Sequence, residues 1–341
     1  MSKFIAPSPI LDGREEQRLI SLTADYQKFI APGRISKAIG RARDAIVQIT
    51  PEKFKKLSGD AFNAASEHAV IQKAMAVAGK GLGVLGNQSA QRLVVSAEGV
   101  VQTLSRPEHP LTSYRHICGL RSYTVEEIVK SKGFQHRALA FLEGGITGAP
   151  GLVGIPFNIA LSFLLFFRAT QSIAMYYGYD VKREPSELEA AAQITLECLA
   201  PGTAAGEESF SGLIAKMMAV GELSALNASL SKTYAQMIGK KGFSLFYVQF
   251  RALANKAAEK ALKKAGEKGI EAGIYKNLLE QVAKQVPKAT AQRAIPLISG
   301  FIGAGVDSYV MHRILIGANL VYHKRFLVEK ADRIKTVLKD G

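Results

Sequence analysis

The sequence predicts an all-α protein, a multi-helix bundle around two apolar helices that each begin in a glycine-rich stretch. Three observations lead there. Ala, Gly, Leu and Lys dominate a 341-residue chain that contains no Trp, a composition that favours helices over sheet. Apolar residues recur at three- and four-residue spacing, the period of one helix face. Helix start and stop signals punctuate the chain between those periodic runs. A chain of this length buries a sizeable core without disulfides or metals, and its 48% hydrophobic content argues against disorder.

Taken in order, residues 14–80 read as helices with polar faces. Arg34 to Ile49 carries helical apolar spacing and Pro51 stops it. Ala61 to Ala78 repeats the pattern, with alanines suited to close helix packing. Leu104 to Leu111 is a loop marked by Pro107 and Pro110. In TVEEIVKSKG, Thr124 with Glu127 three residues on makes a capping box, opening a short helix that ends near Gly133. A helix then runs from about Pro156 to Tyr177 and stops at Gly178. Ser186 caps SELEAAAQITLECLA, again with a glutamate, Glu189, three residues later.

Pro201 to Gly212 forms a loop, and residues 213–286 read as two or three long amphipathic helices. Within them NKAAEKALKKAGEKGIEAG alternates Lys with Glu at helical spacing, which indicates a solvated face. IPLISGFIGAGVDSYVMHRILIGANLVYHKRF is the second glycine-led apolar helix, and a basic tail helix closes the chain. Residues 1–110 are expected as an N-terminal helical region packing on a main domain, 111–341, or as one continuous domain with it.

The two glycine-led segments superpose. Gly151, Gly154 and Asn158 align with Gly300, Gly303 and Asp307, placing a short polar side chain near each helix start, where it can satisfy free backbone N–H groups. The first segment, GGITGAPGLVGIPFNIALSFLLFF (Gly144 to Phe167), has no charge and is long enough to cross a bilayer. Its glycines and prolines preclude a straight helix through the front half, and the uncharged apolar run from Ile159 ends before Arg168. That is well short of the roughly 20 residues a span needs. The second segment is interrupted by Asp307, His312 and Arg313. A buried helix pair and a re-entrant hairpin both remain open.

Motifs for chemistry are few. Gly81, Gly83 and Gly86 form G-x-G-x-x-G, but a helical run precedes it and Glu98 follows too closely for a dinucleotide site. The chain has no P-loop, no H-E-x-x-H and no G-x-S-x-G. His116 and Cys118 offer two metal ligands without a third. No catalytic residue, cofactor or metal ligand is assigned. Cys118 and Cys198 lack metal-ligand spacing and read as reduced core residues. The candidate site is a polar cluster between the two apolar helices: Glu143, Thr147, Asn158, Arg168, Asp307 and Arg313. A buried charge is costly without a partner, so these groups are expected to pair, to face water or to meet a polar ligand.

ALAFLEGGITG (Ala138 to Gly148), Gly151, Gly154 and Asn158, then FRATQSIAMYYGYD (Phe167 to Asp180), form one signature. IPLISGFIGAGVD (Ile295 to Asp307), followed by Tyr322 and Arg325, forms another. In these motifs the chain resembles the EcsC protein family, over two-thirds of its length or more. This chain has Asn158 where many relatives have Asp, and Asp307 where many have Asn, an exchange that suits two side chains bonded to each other. The family takes its name from a locus carrying an ABC transporter, so the resemblance implies bacterial membrane-linked physiology and no defined reaction.

The net charge of +15 suits anionic lipid or nucleic acid, and no nucleic-acid motif accompanies it. No signal-peptide apolar region is present near the N-terminus. The expected function is therefore a cytoplasmic protein, not secreted, held peripherally or monotopically at the inner membrane. Its expected partners are an anionic membrane surface and a membrane transporter or a second copy, as an accessory to transport or secretion. The alternative is a soluble enzyme or hydrophobic-ligand carrier with a pocket between the two signature helices.

Overall fold

The last helix organises the molecule. A computed structural model of the chain describes residues 4–30, 95–132, 155–199, 273–274 and 304–340. Its helices there are α1 (Gly13–Ile30), α2 (Ala97–Leu104), a 3-10 helix (Tyr114–Gly119), α3 (122–132), α4 (Ile155–Tyr176), α5 (Pro185–Leu199) and α6 (Ala304–Asp340). No strand occurs among the described residues, so the protein is all-α. The helices expected at Arg34–Ile49 and Ala61–Ala78, nearly all of 213–286, the glycines at 81–86 and both glycine-rich lead-ins lie outside the described residues.

Where an apolar helix and a separate basic tail were expected, one helix of 37 residues runs from Ala304 to Asp340. Every residue from Gly317 to Ala331 is buried, because α1, α4, α5 and the 3-10 helix all pack around it. The end of the expected apolar helix and the start of the supposed tail thus form the central post of the bundle. Gly317 allows this closeness: an added Cβ there would lie 2.8 Å from the Phe29 ring of α1 and closer still to Cys198 Sγ of α5.

The surrounding helices form for local reasons. Asp12 caps α1, its Oδ1 accepting from Glu15 N–H at 2.8 Å while Glu15 reaches back to the Asp12 N–H, a reciprocal capping box. Ser96 caps α2 through Gly99 N–H at 3.0 Å. The loop after Leu104 closes as expected, with a single bridge between Arg106 and His109 and Leu111 N–H held by Ser105 Oγ.

Two helix starts differ from expectation. Helix α3 begins at Ser122 rather than after Thr124, because a distant carboxylate, Glu15 Oε1, accepts the Ser122 N–H at 2.7 Å. Helix α5 begins at Pro185, not Ser186. Proline suits a first helical position, where its missing N–H would have had no helical partner. The Glu184 carbonyl then accepts from Glu187 and Leu188. Glu189 bonds Gln193 one turn on, rather than closing a capping box.

Helices α4 and α6 begin in matched register, Asn158 and Asp307 each being the fourth residue of its helix. This agrees with the superposition of the two glycine-led segments. Helix α4 ends in a Schellman turn: Gly178 N–H bonds the Met175 carbonyl and Tyr179 N–H bonds the Ala174 carbonyl, each at 3.0 Å. Gly178 sits at φ +80°, and a side chain there would also collide with Arg333 and touch Ile117 at 3.3 Å. Helices α4 and α5 are joined by a buried hydroxyl pair, Thr195 to Thr170 at 2.9 Å.

Gly178→Ala places a side chain in left-handed backbone against the Arg333 guanidinium. It should cost on the order of 1–3 kcal/mol, read as a shift of the urea midpoint at unchanged slope.

Candidate functional site

A helix buried on every side normally carries only apolar residues. Helix α6 instead buries His323, Lys324, Arg325, Glu329 and Lys330, so each must find a partner on a neighbouring element. Lys330 Nζ lies 2.7 Å from Glu15 Oε1, both side chains fully buried. Glu15 also accepts from Arg121 at 3.0 Å and from the Ser122 and Asp12 N–H groups. One carboxylate thereby caps α1, starts α3 and neutralises α6. Lys324 Nζ donates to the Leu19 carbonyl and to Thr23 Oγ1, both on α1.

Arg325 forms a two-bonded fork with Glu187 of α5, at 2.7 and 3.0 Å, and its Nε meets Glu329 at 2.9 Å. Tyr179 OH donates to the other oxygen of Glu329 at 3.0 Å, and the Arg325 guanidinium lies 4.0 Å over the Tyr179 ring. Arg333 donates to the Tyr177 and Gly178 carbonyls at 3.0 and 2.8 Å, a cation on the negative end of α4. Burial opposes the charge on Arg325, but Glu187 and Glu329 outweigh it and hold its pKa above the usual value.

Beside this network is a half-open cavity of about 280 Å³. Val129 of α3, Ile173 of α4 and Leu315 and Leu320 of α6 give it apolar walls, and Arg18, Glu126, Lys130, His312 and Asn319 its polar parts. Arg18 of α1 and Lys130 reach Glu126 Oε1 at 3.0 Å each, and His323 Nδ1 stands 3.7 Å from the same oxygen. Glu126 Oε2 has no protein partner among the described residues. Asn319 Oδ1 accepts from Tyr177 OH at 2.8 Å, and the Tyr177 ring stacks on His323 with centroids 5.6 Å apart.

Neither ring nitrogen of the fully buried His323 has a hydrogen bond. Burial pushes the His323 imidazole pKa down, more than Glu126 raises it. For Glu126, burial works toward neutrality, but polar contacts from His323, Lys130 and Arg18 win and hold the carboxyl well below the usual carboxylate range.

The EcsC protein family model matches residues 15–327. The chain belongs to the EcsC protein family. Comparison with curated proteins and with solved structures gave no match. The geometry shows what several EcsC motif residues do in this chain. Tyr177, Gly178 and Tyr179 of the first signature meet Asn319, Arg325, Glu329 and Arg333 of α6. Asp180 holds the following turn through the Lys182 and Arg183 N–H groups, at 3.1 Å each. Tyr322 packs against Tyr179, centroids 5.5 Å apart.

Of the residues expected to form the polar cluster, Glu143 and Thr147 lie outside the described residues, as do the side chains of Asn158 and Asp307. Arg168 is half-buried on α4, and the Arg313 guanidinium lies 4.5 Å over the Phe29 ring. Neither arginine lines the cavity. Its polar groups come instead from α1, α3 and α6, separated by long stretches of sequence. One local signal pointed to part of this arrangement: DGRE, Asp12 to Glu15, is a capping box of the D-x-x-E form. Both cysteines are buried free thiols. Cys118 Sγ contacts the Arg115 carbonyl, while His116 Nδ1 bonds Thr112.

Glu15→Gln leaves Lys330 buried beside a neutral amide. It should lose about 3–5 kcal/mol of stability, whereas Glu127→Gln, in an exposed pair with Arg106, should lose less than about 1 kcal/mol. Urea melts of the two variants compare them directly.

The lowered pKa of His323 has a sign. The unfolded chain takes up the histidine proton first, near its ordinary value of about 6.5, so this contribution to stability is full above that pH. It declines as pH falls through the folded pKa. Unfolding free energy should drop from pH 7 toward pH 5, and His323→Phe should flatten that slope in a pH series of urea melts.

Proposed function

We propose that this EcsC-family protein works peripherally at an anionic membrane surface. The partition of charge supports the reading. Among the described residues the interior holds seven carboxylates (Glu15, Glu126, Asp180, Glu187, Glu189, Glu197, Glu329) against three permanent cations (Lys324, Arg325, Lys330). The rest of the chain therefore carries a larger positive excess than the overall +15. Such an excess draws a protein to anionic headgroups by about 1 kcal/mol per basic residue near the surface. No helix among the described residues is long and apolar enough to cross a membrane, so a surface mode of attachment is the one to test. The free thiols Cys118 and Cys198 suit the cytoplasmic face. A role as accessory to a membrane transporter, or in secretion, is the partner class that fits such a position.

The cavity favours a second reading, a ligand carrier or enzyme whose pocket lies between the signature helices. Ile173 of α4 and Leu315 and Leu320 of α6 share its walls. Among the described residues lining it, no nucleophile stands beside a base, so carriage is preferred to catalysis.

Purified protein should co-sediment with vesicles rich in phosphatidylglycerol, bind phosphatidylcholine vesicles poorly and be released by high salt. Equal binding to both vesicle types, insensitive to salt, would remove the electrostatic basis of the membrane reading.

A further inference from the structure

We propose that the cavity over Glu126 binds a small primary ammonium with an apolar body, an alkyl- or arylalkylamine of about ten non-hydrogen atoms. The inference rests on the pocket reading above and names its ligand class. Size comes from volume: an apolar cavity of about 150 Å³ accommodates benzene, and this one measures about 280 Å³. A diacyl lipid does not fit within it.

The sign of the ligand follows from how the polar groups are satisfied. Three groups converge on Glu126 Oε1, while Oε2 is left as an acceptor with no partner among the described residues. Both terminal nitrogens of Arg18 are already engaged, Nη1 by Asp25 at 2.8 Å and Ser21 at 3.2 Å and Nη2 by Glu126 at 3.0 Å, while its buried Nε has no hydrogen bond. Its charge is thus shared between two carboxylates, leaving one negative charge at the cavity to be met from the rim. Lys130 meets it, but that side chain is 65% exposed and makes only the i,i+4 contact with Glu126. Such a pair contributes little. His323, buried and neutral near pH 7, does not cancel the carboxylate charge.

An incoming ammonium can therefore take the Oε2 position and displace Lys130 into solvent. An anion at the same place meets the Glu126 carboxylate. Asn319 adds orientation: Tyr177 fixes its carbonyl oxygen, leaving the amide N–H groups for an acceptor atom on the ligand. The apolar body rests on Val129, Ile173, Leu315 and Leu320.

The test is calorimetric titration of the full chain with three probes of one skeleton: 2-phenylethylamine, 2-phenylethanol and 3-phenylpropanoate. The amine should bind saturably at one site and at least about tenfold more tightly than the alcohol, with no binding of the carboxylate. Glu126→Gln should lose at least about tenfold in amine affinity. Lys130→Ala should tighten it, because the exposed competitor for Glu126 is gone. Lys130 is exposed and its removal leaves the fold intact, so that variant stays informative even if the Glu126 variant is unstable.

Weaker amine binding in Lys130→Ala, or preference for the carboxylate or the alcohol, overturns the ammonium assignment while leaving the cavity a ligand site. No binding of any of the three probes overturns the assignment and the pocket reading together.

Discussion

Burial of charge on α6 is the constraint from which the rest of the structure follows. Between His323 and Arg333 the helix carries cations on nearly every face; those up to Lys330 are buried on all sides, and Arg333 is half-buried. Each cation must therefore be met by a group from a different neighbour. Lys324 and Lys330 are met by α1, Arg325 by α5 and Arg333 by the C-terminal carbonyls of α4. The partners fix rotation and height of each helix around the post more sharply than apolar contacts can, since an apolar face tolerates sliding and a two-bonded Arg325–Glu187 fork does not. Replacing such groups by well-packed apolar residues is often neutral or stabilising, so their value here lies in specifying one arrangement of the bundle.

The same constraint explains the family signature in this chain. Y-G-Y-D, Tyr177 to Asp180, is the corner at which α4 turns toward α5, and α6 reads it residue by residue. Tyr177 bonds Asn319, Gly178 makes room for Arg333, and Tyr179 bonds Glu329 while lying under Arg325. These are contacts of a structural clamp, within which the Arg325 side chain is 3% exposed. The EcsC motif residues described here accordingly account for the fold more directly than for any chemistry.

Local features were legible in the sequence, and distant ones were not. The stop at Gly178, the loop after Leu104 and the matched starts of α4 and α6 all depend on residues within a few positions of each other. The start of α3 depends on Glu15, more than a hundred positions away, so TVEEIVK pointed to Thr124 instead. Nothing local in HKRFLVEKADR announced its place in the interior, because lysine and arginine are usually exposed. Only the neighbouring helices, contributing Glu15, Glu126 and Glu187, make its burial possible. The cavity was hidden for the same reason: Arg18, Glu126 and Asn319 belong to three separate helices.

Comparing the carboxylates that face α6 separates structural from functional acids. Glu15 has both oxygens engaged, by four donors in all. Glu187 gives both oxygens to Arg325, and Glu329 divides its pair between Arg325 and Tyr179. Each therefore has both oxygens engaged by protein donors. Glu126 differs in that its contacts from the described residues crowd onto one oxygen, and it lines a cavity. The neutral imidazole of His323 behind it supplies no counter-charge, and Lys130 reaches it only from solvent. In a bundle that otherwise saturates its buried acids on α6, the half-open carboxylate is the position at which a ligand changes the electrostatic balance most.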